Sequence, residues 1–239
     1  MAYQAVFKRY ELKYLLSQEQ KQAVLQAMEP YMKQDQYGRT TIRNIYYDTD
    51  TYLMIRRSIE RPVYKEKLRI RSYSKAERDS AVFVELKRKY RSVVYKRRIS
   101  LPEKEAVKWI SGAQHCHEDT QISREIDYVL DHYKTLRPVV FISYEREAYC
   151  AGDGSDFRVT FDDRILCRHG DLTLESEVYG TPLLPDDTVL MEIKCSGGMP
   201  LWMTRVLSKE RIYKTSFSKY GTAYKTVIFP KLCRANAQK

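Results

Sequence analysis

The stretch Lys65-Glu66-Lys67-Leu68-Arg69-Ile70-Arg71-Ser72-Tyr73 decides how the rest of the chain is read. A β-strand points successive side chains to opposite faces. Lys67, Arg69 and Arg71 then share one face, and Leu68 and Ile70 take the other. One such strand is ordinarily a solvated basic face. Here the apolar face backed by a charged face recurs along the chain. Glu11 and Lys13 oppose Leu12 and Tyr14. Glu85 and Lys87 oppose Val84 and Leu86. Arg158 and Asp162 oppose Val159 and Phe161, and Glu192 and Lys194 oppose Met191 and Ile193.

The chain has 239 residues and 43% hydrophobic content, enough for a sizeable core. Its net charge of +11 implies a polyanionic partner: nucleic acid, an acidic membrane surface or a phosphate-rich small molecule. Cys116, Cys150, Cys167, Cys195 and Cys233 are scattered and odd in number, which reads as reduced thiols of a cytoplasmic protein. His115-Cys116-His117 fits no common zinc spacing and reads as a polar loop. No signal peptide or membrane-spanning run is expected, so a role at a membrane would need another chain to hold it there.

Strands are expected at Phe7–Tyr14, Arg39–Asp48, Lys65–Tyr73, Ala81–Tyr90, Ser92–Ser100, Arg137–Cys150, from Phe157, and at Val189–Cys195. Ser17 with Gln20 forms a capping-box signature, which predicts a helix over Gln18–Glu29 stopped by Pro30. Further helices are expected near 51–58, 102–110, 120–134, 201–208 and 218–228. Asp162, Asp163 and Arg164 read as a turn, and 234–239 as a frayed end. Lys65, Arg88, Arg91 and Arg97 are expected to be solvated or to contact a partner. Arg43 reads as structural, and Trp202 and Met203 as core. With no repeat or linker, the chain reads as one domain, 1–239 with a core of about 5–230, of α+β class.

Charged faces on many strands suggest a barrel whose outer side packs on helices and whose inner side lines a lumen. Lys13, Arg69, Arg71, Lys87, Arg146 and Arg158 could converge there. Each like-charge pair at ~5 Å and an effective dielectric of ~20 costs about 3 kcal/mol, so acidic neighbours or a bound polyanion must offset the repulsion. A phosphate chain suits the purpose, because its oxygens accept charge-assisted and bidentate bonds from arginine. A solvated basic face is the alternative from pattern alone.

Seven segments in order carry a resemblance: Arg9-Tyr10-Glu11-Leu12-Lys13-Tyr14, Lys67-Leu68-Arg69-Ile70-Arg71, Val84-Glu85-Leu86-Lys87-Arg88, Tyr144-Glu145-Arg146, Phe157-Arg158-Val159, Met191-Glu192-Ile193-Lys194 and Ser216-Phe217-Ser218-Lys219-Tyr220. Together they resemble the VTC (vacuolar transporter chaperone) polyphosphate polymerase domain of the triphosphate tunnel metalloenzyme, or CYTH-like, superfamily. The resemblance implies an antiparallel β-barrel or tunnel, closed or nearly so, with surrounding helices. It implies binding of ATP or another nucleoside triphosphate, or of inorganic polyphosphate or triphosphate, with Mn²⁺ or Mg²⁺. Lys13, Arg69, Arg71, Lys87, Arg146, Arg158 and Lys219 would hold phosphates as the catalytic set, supported by Lys96, Tyr144 and Ser218. Glu192 would be the metal ligand. Glu11 is a second ligand or the partner of a nearby lysine, and Lys194 a neutralising neighbour of Glu192. Many superfamily members begin with Glu-x-Glu-x-Lys; Arg9 stands at the first acid here, which argues against a carboxylate-rich two-metal site.

The implied reaction is phosphoryl transfer from a nucleoside triphosphate to a phosphate oxygen, making inorganic polyphosphate. The attacking oxygen is already ionised, so no strong base is required. Hydrolysis of tripolyphosphate or nucleoside triphosphate is the enzymatic alternative, and a non-catalytic polyphosphate-binding module the other. A nucleic-acid module is disfavoured, because the charge points into a lumen too narrow for a duplex. Through the resemblance, a membrane-protein partner is a further expectation.

Overall fold

The computed structural model describes residues 10–60, 62–91 and 93–237. Its strands are β1 (Tyr10–Leu16), β2 (Met32–Asp48), β3 (Tyr64–Ser72), β4 (Ala81–Tyr90), β5 (Val93–Pro102), β6 (Arg137–Ala151), β7 (Arg158–Arg168), β8 (Thr181–Pro182), β9 (Val189–Cys195) and β10 (Lys214–Thr215). They form one sheet with the hydrogen-bonded order β10-β1-β9-β7-β6-β2-β3-β4-β5, and β8 adds to β7. Every pairing is antiparallel. The helices are α1 (Gln18–Met28), α2 (Leu53–Ile59), α3 (Glu103–Ile110), α4 (Gln121–Tyr133), α5 (Leu201–Lys209), α6 (Lys219–Ala223) and α7 (Phe229–Ala237). The α+β class is as the alternation implied.

The apolar faces of the strands divide the core. Leu68 and Ile70 of β3, Val82, Val84 and Leu86 of β4 and Ile45 of β2 pack against Ala106, Trp109, Ile126 and Val129 of α3 and α4. Tyr14 and Leu16 of β1, Val159 and Phe161 of β7 and Met191 and Ile193 of β9 pack against Val24 and Met28 of α1 and Met203, Val206 and Leu207 of α5. A third cluster lies inside the curl of the sheet. Ile42, Tyr46, Val140, Ile142 and Leu190 there meet Ile55 of α2, Tyr220 and Ala223 of α6 and Ile228.

The sheet curls until its distant strands touch. β1 and β4 stand six places apart in the strand order. Yet Lys87 Nζ on β4 donates to Glu11 Oε2 on β1 at 3.0 Å. Between them the described residues show no backbone ladder, and the hydrogen-bonded path ends at β10 and β5. The barrel is therefore a curled, tunnel-like sheet whose circuit side chains complete. The segment after β10 helps to close it. Lys13 Nζ donates to Phe217 O at 3.0 Å, and Lys67 Nζ of β3 donates to Ser218 Oγ at 3.0 Å, so residues 216–218 cross from β1 toward β3.

Local chemistry explains the elements. Ser17 accepts from the Gln20 N–H and Gln20 answers at the Ser17 N–H, the capping box that starts α1. Asp48 is buried at the end of β2 and accepts from the N–H groups of Thr49, Met54 and Ile55 and from the Tyr220 hydroxyl. That carboxylate caps α2 and ties α6 to the sheet.

Four expectations need correction. Residues 162–164 form no turn; they continue β7, and Asp162 is fully buried. β2 starts at Met32, because a register shift between Gln34 and Arg39, with Gly38 at φ 58°, lets the polar segment stay paired with β6. The expected helix over 218–228 is α6 followed by a π-helical turn at Tyr224–Ile228, whose Phe229 N–H reaches back to Tyr224 O. Pro230 has no N–H to give and its ring disfavours the regular α pattern, which accounts for the bulge. The chain then runs on as α7 to Ala237 where fraying was expected. Residues 7–9 of the expected first strand, including Arg9, lie outside the described residues.

Candidate active site

The inner face of the curled sheet carries a continuous circuit of charge. It starts at Glu85 of β4, 1% exposed, whose carboxylate binds Arg69 Nη2 at 2.7 Å, Lys96 Nζ at 2.6 Å and Arg98 Nη2 at 2.7 Å, with Arg71 Nε at 3.8 Å. The pairing of β3, β4 and β5 makes this inevitable, since Arg69 and Arg98 lie directly across from Glu85. Arg71 donates from Nε to Asn44 Oδ1 at 2.9 Å and from Nη2 to the Tyr144 hydroxyl at 3.1 Å. Arg69 Nη1 donates to the Tyr46 hydroxyl at 2.9 Å.

From Tyr144 the circuit passes to Arg146, which forms a two-point contact with Asp162 at 2.6 and 2.7 Å. These residues are register partners on β6 and β7. Lys219 Nζ, at the start of α6, donates to Asp162 Oδ2 at 2.5 Å and to Glu192 Oε1 at 3.4 Å, and lies 4.4 Å from the Tyr144 ring centroid. Glu192 of β9 also binds Lys13 Nζ at 3.2 Å. Lys13 bridges on to Glu11 at 3.4 Å, and Glu11 binds Lys87. Lys87 is the register partner of Lys96, which returns the circuit to Glu85.

The electrostatics follow from this packing. Burial alone would raise the carboxyl groups of Glu85, Asp162, Glu192 and Glu11, but the cations around them outweigh it. Arg69 and Arg71 hold Glu85 well below the ordinary carboxylate range. Arg146 and Lys219 lower Asp162, Lys219 and Lys13 hold Glu192 well below that range, and Lys87 and Lys13 lower Glu11. Burial also works against Lys13 and Lys219, yet Glu192, with Glu11 for one and Asp162 for the other, keeps both above the ordinary lysine value. Burial lowers Lys96 and Lys67 to about 7 and Lys194 to about 8. The Tyr144 phenol would rise on burial, but Arg71, Arg146 and Lys219 bring it below its ordinary value.

Among the described residues, ten basic side chains, Lys13, Lys67, Arg69, Arg71, Lys87, Lys96, Arg98, Arg146, Lys194 and Lys219, thus share this lumen with four carboxylates, Glu11, Glu85, Asp162 and Glu192. The excess of basic groups suits this lumen to polyanions, whose oxygens accept charge-assisted bonds from several donors at once.

Of the residues singled out from sequence, Lys13, Arg69, Arg71, Lys87, Lys96, Tyr144, Arg146, Lys219, Glu11 and Glu192 all stand on this circuit, and Ser218 stands beside it, accepting from Lys67 Nζ at 3.0 Å. Arg158 does not. It lies on the same face of β7 but at the rim, with its side chain 46% exposed, and binds Asp35 at 3.3 Å. Lys194 lies 3.9 Å from Glu192, as a neutralising neighbour would. Sequence reasoning missed Asp162, Arg98, Asn44 and Tyr46. The alternation with Val159 and Phe161 already sets Asp162 on the charged face; the turn composition of 162–164 is what keeps it out of the site expected from sequence.

Arg88 and Arg97, expected to be solvated or to contact a partner, are instead paired within the chain: Glu125 of α4 takes both, at 3.0 and 3.1 Å, and Glu66 takes Arg88 at 3.3 Å. Arg43 is buried on the outer face, and Met203 is core, as read. Trp202 is half-buried and stacks on Tyr31 at 4.9 Å.

A carboxylate pair bridged by an ammonium bears on whether a divalent ion fits. Among the described residues no group of three or more His, Cys, Asp or Glu side chains could hold a metal ion. Glu192 and Glu11, both held ionised, could supply one or two carboxylates. That is the donor set expected for Mg²⁺ bound together with substrate phosphates and water. Among the described residues no helix is long and apolar enough to cross a membrane.

The VTC domain family model matches residues 8–228. Among solved structures, a candidate adenylate cyclase from Bacillus halodurans superposes with a TM-score of 0.55 at 13% identity, over 90% of this chain and 96% of its own. A candidate adenylyl cyclase from Hippeastrum, described as having a dominant triphosphatase activity, superposes with a TM-score of 0.52 at 15% identity, over 90% of this chain and 94% of its own. At such identities the likeness is one of fold. Comparison with curated proteins gave no match.

Proposed function

The chain belongs to the VTC domain family, with a triphosphate-tunnel fold, and from that premise we propose that its charged lumen transfers phosphoryl groups from ATP to a growing inorganic polyphosphate. The observation that carries this reading is the convergence of ten basic side chains from six strands and α6 on one lumen, against four carboxylates among the described residues. In this reading the carboxylates of the circuit occupy the cations until phosphate oxygens replace them.

Arg69, Arg71 and Lys96 turn from Glu85 to one phosphate group, and Arg146 and Lys219 turn from Asp162 to another. Each bond exchanged is charge-assisted on both sides, so the exchange costs little, while the excess charge favours the polyanion. Lys13 and Lys87 complete the cradle opposite. Tyr144 and Ser218 hydroxyls donate to phosphate oxygens, and Arg158 at the rim meets a chain as it arrives. Aligning donor and acceptor and stabilising charge on the transferred group are the main work of phosphoryl transfer. A phosphate nucleophile is ionised already, which removes the need for a general base.

Glu192, with Glu11 beside it, would hold Mn²⁺ or Mg²⁺. Such an ion supplies charge neutralisation across phosphate oxygens when bound. Cytoplasmic placement and a membrane-protein partner belong to the same proposal.

The test is product analysis. Purified protein with ATP and Mn²⁺, followed by ³¹P NMR, is expected to give internal-phosphate signals with matching ADP, lost in Arg71→Ala and Glu192→Ala. Orthophosphate without polymer would replace the polymerase reading by a triphosphatase one. Tight tripolyphosphate binding with no turnover under any metal would leave a binding module.

A further inference from the structure

Lys67 differs from the other cations of the lumen. Its Nζ donates to Ser218 Oγ at 3.0 Å, and among the described residues it forms no ion pair with a carboxylate. The charged groups with the strongest influence on it are cationic: Lys13 on β1, Lys87 on β4, and Lys65 and Arg69 on its own strand. The nearby carboxylates, Glu11 on β1 and Glu192 on β9, are bonded to Lys13 and, for Glu11, to Lys87. Ser218 gives no counter-charge, and its oxygen already accepts the Gly221 N–H at 3.1 Å as the cap of α6. A serine has one hydroxyl hydrogen and two lone pairs. With Gly221 and Lys67 on the oxygen, the hydroxyl hydrogen is left to donate outward. The position therefore offers an amine and a hydroxyl donor side by side, with no carboxylate bonded to either among the described residues.

Burial and these neighbouring cations bring the Lys67 amine to about 7, so at pH 8 most of it is uncharged. Arg69 beside it cannot respond in this way, because a guanidinium stays protonated.

Building on the phosphate-binding reading of the lumen, we infer that Lys67 makes recognition proton-coupled: a phosphate group seated against Lys67 and Ser218 brings a solvent proton onto the Lys67 amine. The chemistry is one N–H bond formed at Nζ as the buffer acid gives up its proton and is left as its conjugate base, with no bond of the phosphate broken. Phosphate raises the pKa of the bound lysine. The extra affinity is therefore fully present below the ligand-free value near 7 and is lost as pH rises through the higher bound value. Lys67 thus tunes how tightly the lumen holds a polyanion across the neutral and mildly alkaline range.

Calorimetric titration of the full chain with inorganic tripolyphosphate at pH 8, in phosphate-free buffers of different ionisation enthalpy, counts the protons taken up. The wild type is expected to take up about one proton more than Lys67→Arg, which keeps a cation but cannot change charge. Uptake by Lys96 and Lys194 is common to both proteins and cancels in the difference. Lys67→Met, which removes the amine, is expected to show the same deficit with weaker binding. It also supplies the comparison if the arginine does not fit. Equal proton counts in the wild type and both variants, with all three binding, would overturn this inference and leave the phosphate reading intact. Absence of tripolyphosphate binding by the wild type would remove both.

Discussion

Replacing Glu85 by glutamine isolates the electrostatics of the circuit. The side chain keeps its shape but can no longer neutralise Arg69, Lys96 and Arg98 at 2.6–2.7 Å and Arg71 at 3.8 Å. Breaking a buried ion pair by removing one partner typically costs about 3–5 kcal/mol. Each exposed repulsion between two of the remaining cations, at ~5 Å and an effective dielectric of ~20, adds about 3 kcal/mol. Lys96 limits the sum. Its amine is already lowered to about 7 by burial, with Glu85 as the group that supports its charge, so in the variant it sheds its proton. The expected loss is therefore near the single-pair figure, about 3–5 kcal/mol, a large share of the ~5–15 kcal/mol that holds a typical domain. Urea unfolding at pH 7 in phosphate-free buffer measures it as a fall in midpoint with unchanged slope. A second arm adds tripolyphosphate. A ligand at ~100 times its Kd stabilises by about 2.7 kcal/mol, and the variant should gain more than the wild type at equal ligand, because the polyanion takes the place of the missing carboxylate. A loss below ~1 kcal/mol, or equal stabilisation of the two proteins by tripolyphosphate, would refute the reasoning.

Two further outcomes follow from the same geometry. Arg71→Ala removes a guanidinium that reaches Asn44, Tyr144 and Glu85, and tripolyphosphate affinity should fall roughly 10–100-fold, the worth of one or two charge-assisted bonds, in direct calorimetric titration. Glu85, Asp162 and Glu192 have folded pKa values below their unfolded ones, so the stability they contribute is present above the ordinary carboxyl range near pH 4 and lost as pH falls through their depressed values. Circular dichroism should therefore hold steady from neutral pH to about 4 and collapse in stronger acid; a transition centred above about pH 5 would contradict the ion-pair assignment.

Much of the wall was legible because strand alternation is local. Lys67, Arg69 and Arg71 fall on one face by spacing alone, and the Ser17–Gln20 pair marks the start of α1 without any tertiary information. Asp162 was misread for a physical reason. Asp162-Asp163-Arg164 has turn composition, and local propensity favours a turn. Only the pairing of Arg146 with Asp162, set by the β6–β7 register, reveals that burying the acid is favourable. Arg88 and Arg97 looked solvated because their partner, Glu125, arrives from a helix that packs on the sheet from outside. Arg158 shows the converse: its face was read correctly, but alternation carries no information about depth along a strand, and it lies at the rim. The closure of the sheet was beyond local reading altogether. Lys87 and Glu11 are 76 residues apart, and neither belongs to a paired strand of the other.

That closure sets a mechanical property of the wall. A β-ladder fixes the spacing of its strands at about 4.8 Å, so a barrel closed by backbone bonds all the way round has a rigid bore. Here the last joint is made through lysine stems, Lys87 to Glu11 and Lys13 and Lys67 to residues 217 and 218, and lysine rotamers interchange without breaking a rung of the backbone ladder. The tube behaves as a split ring. Its diameter can relax around an object of variable thickness, and because the joint is an ion pair with Lys87 39% exposed, dissolved salt loosens it.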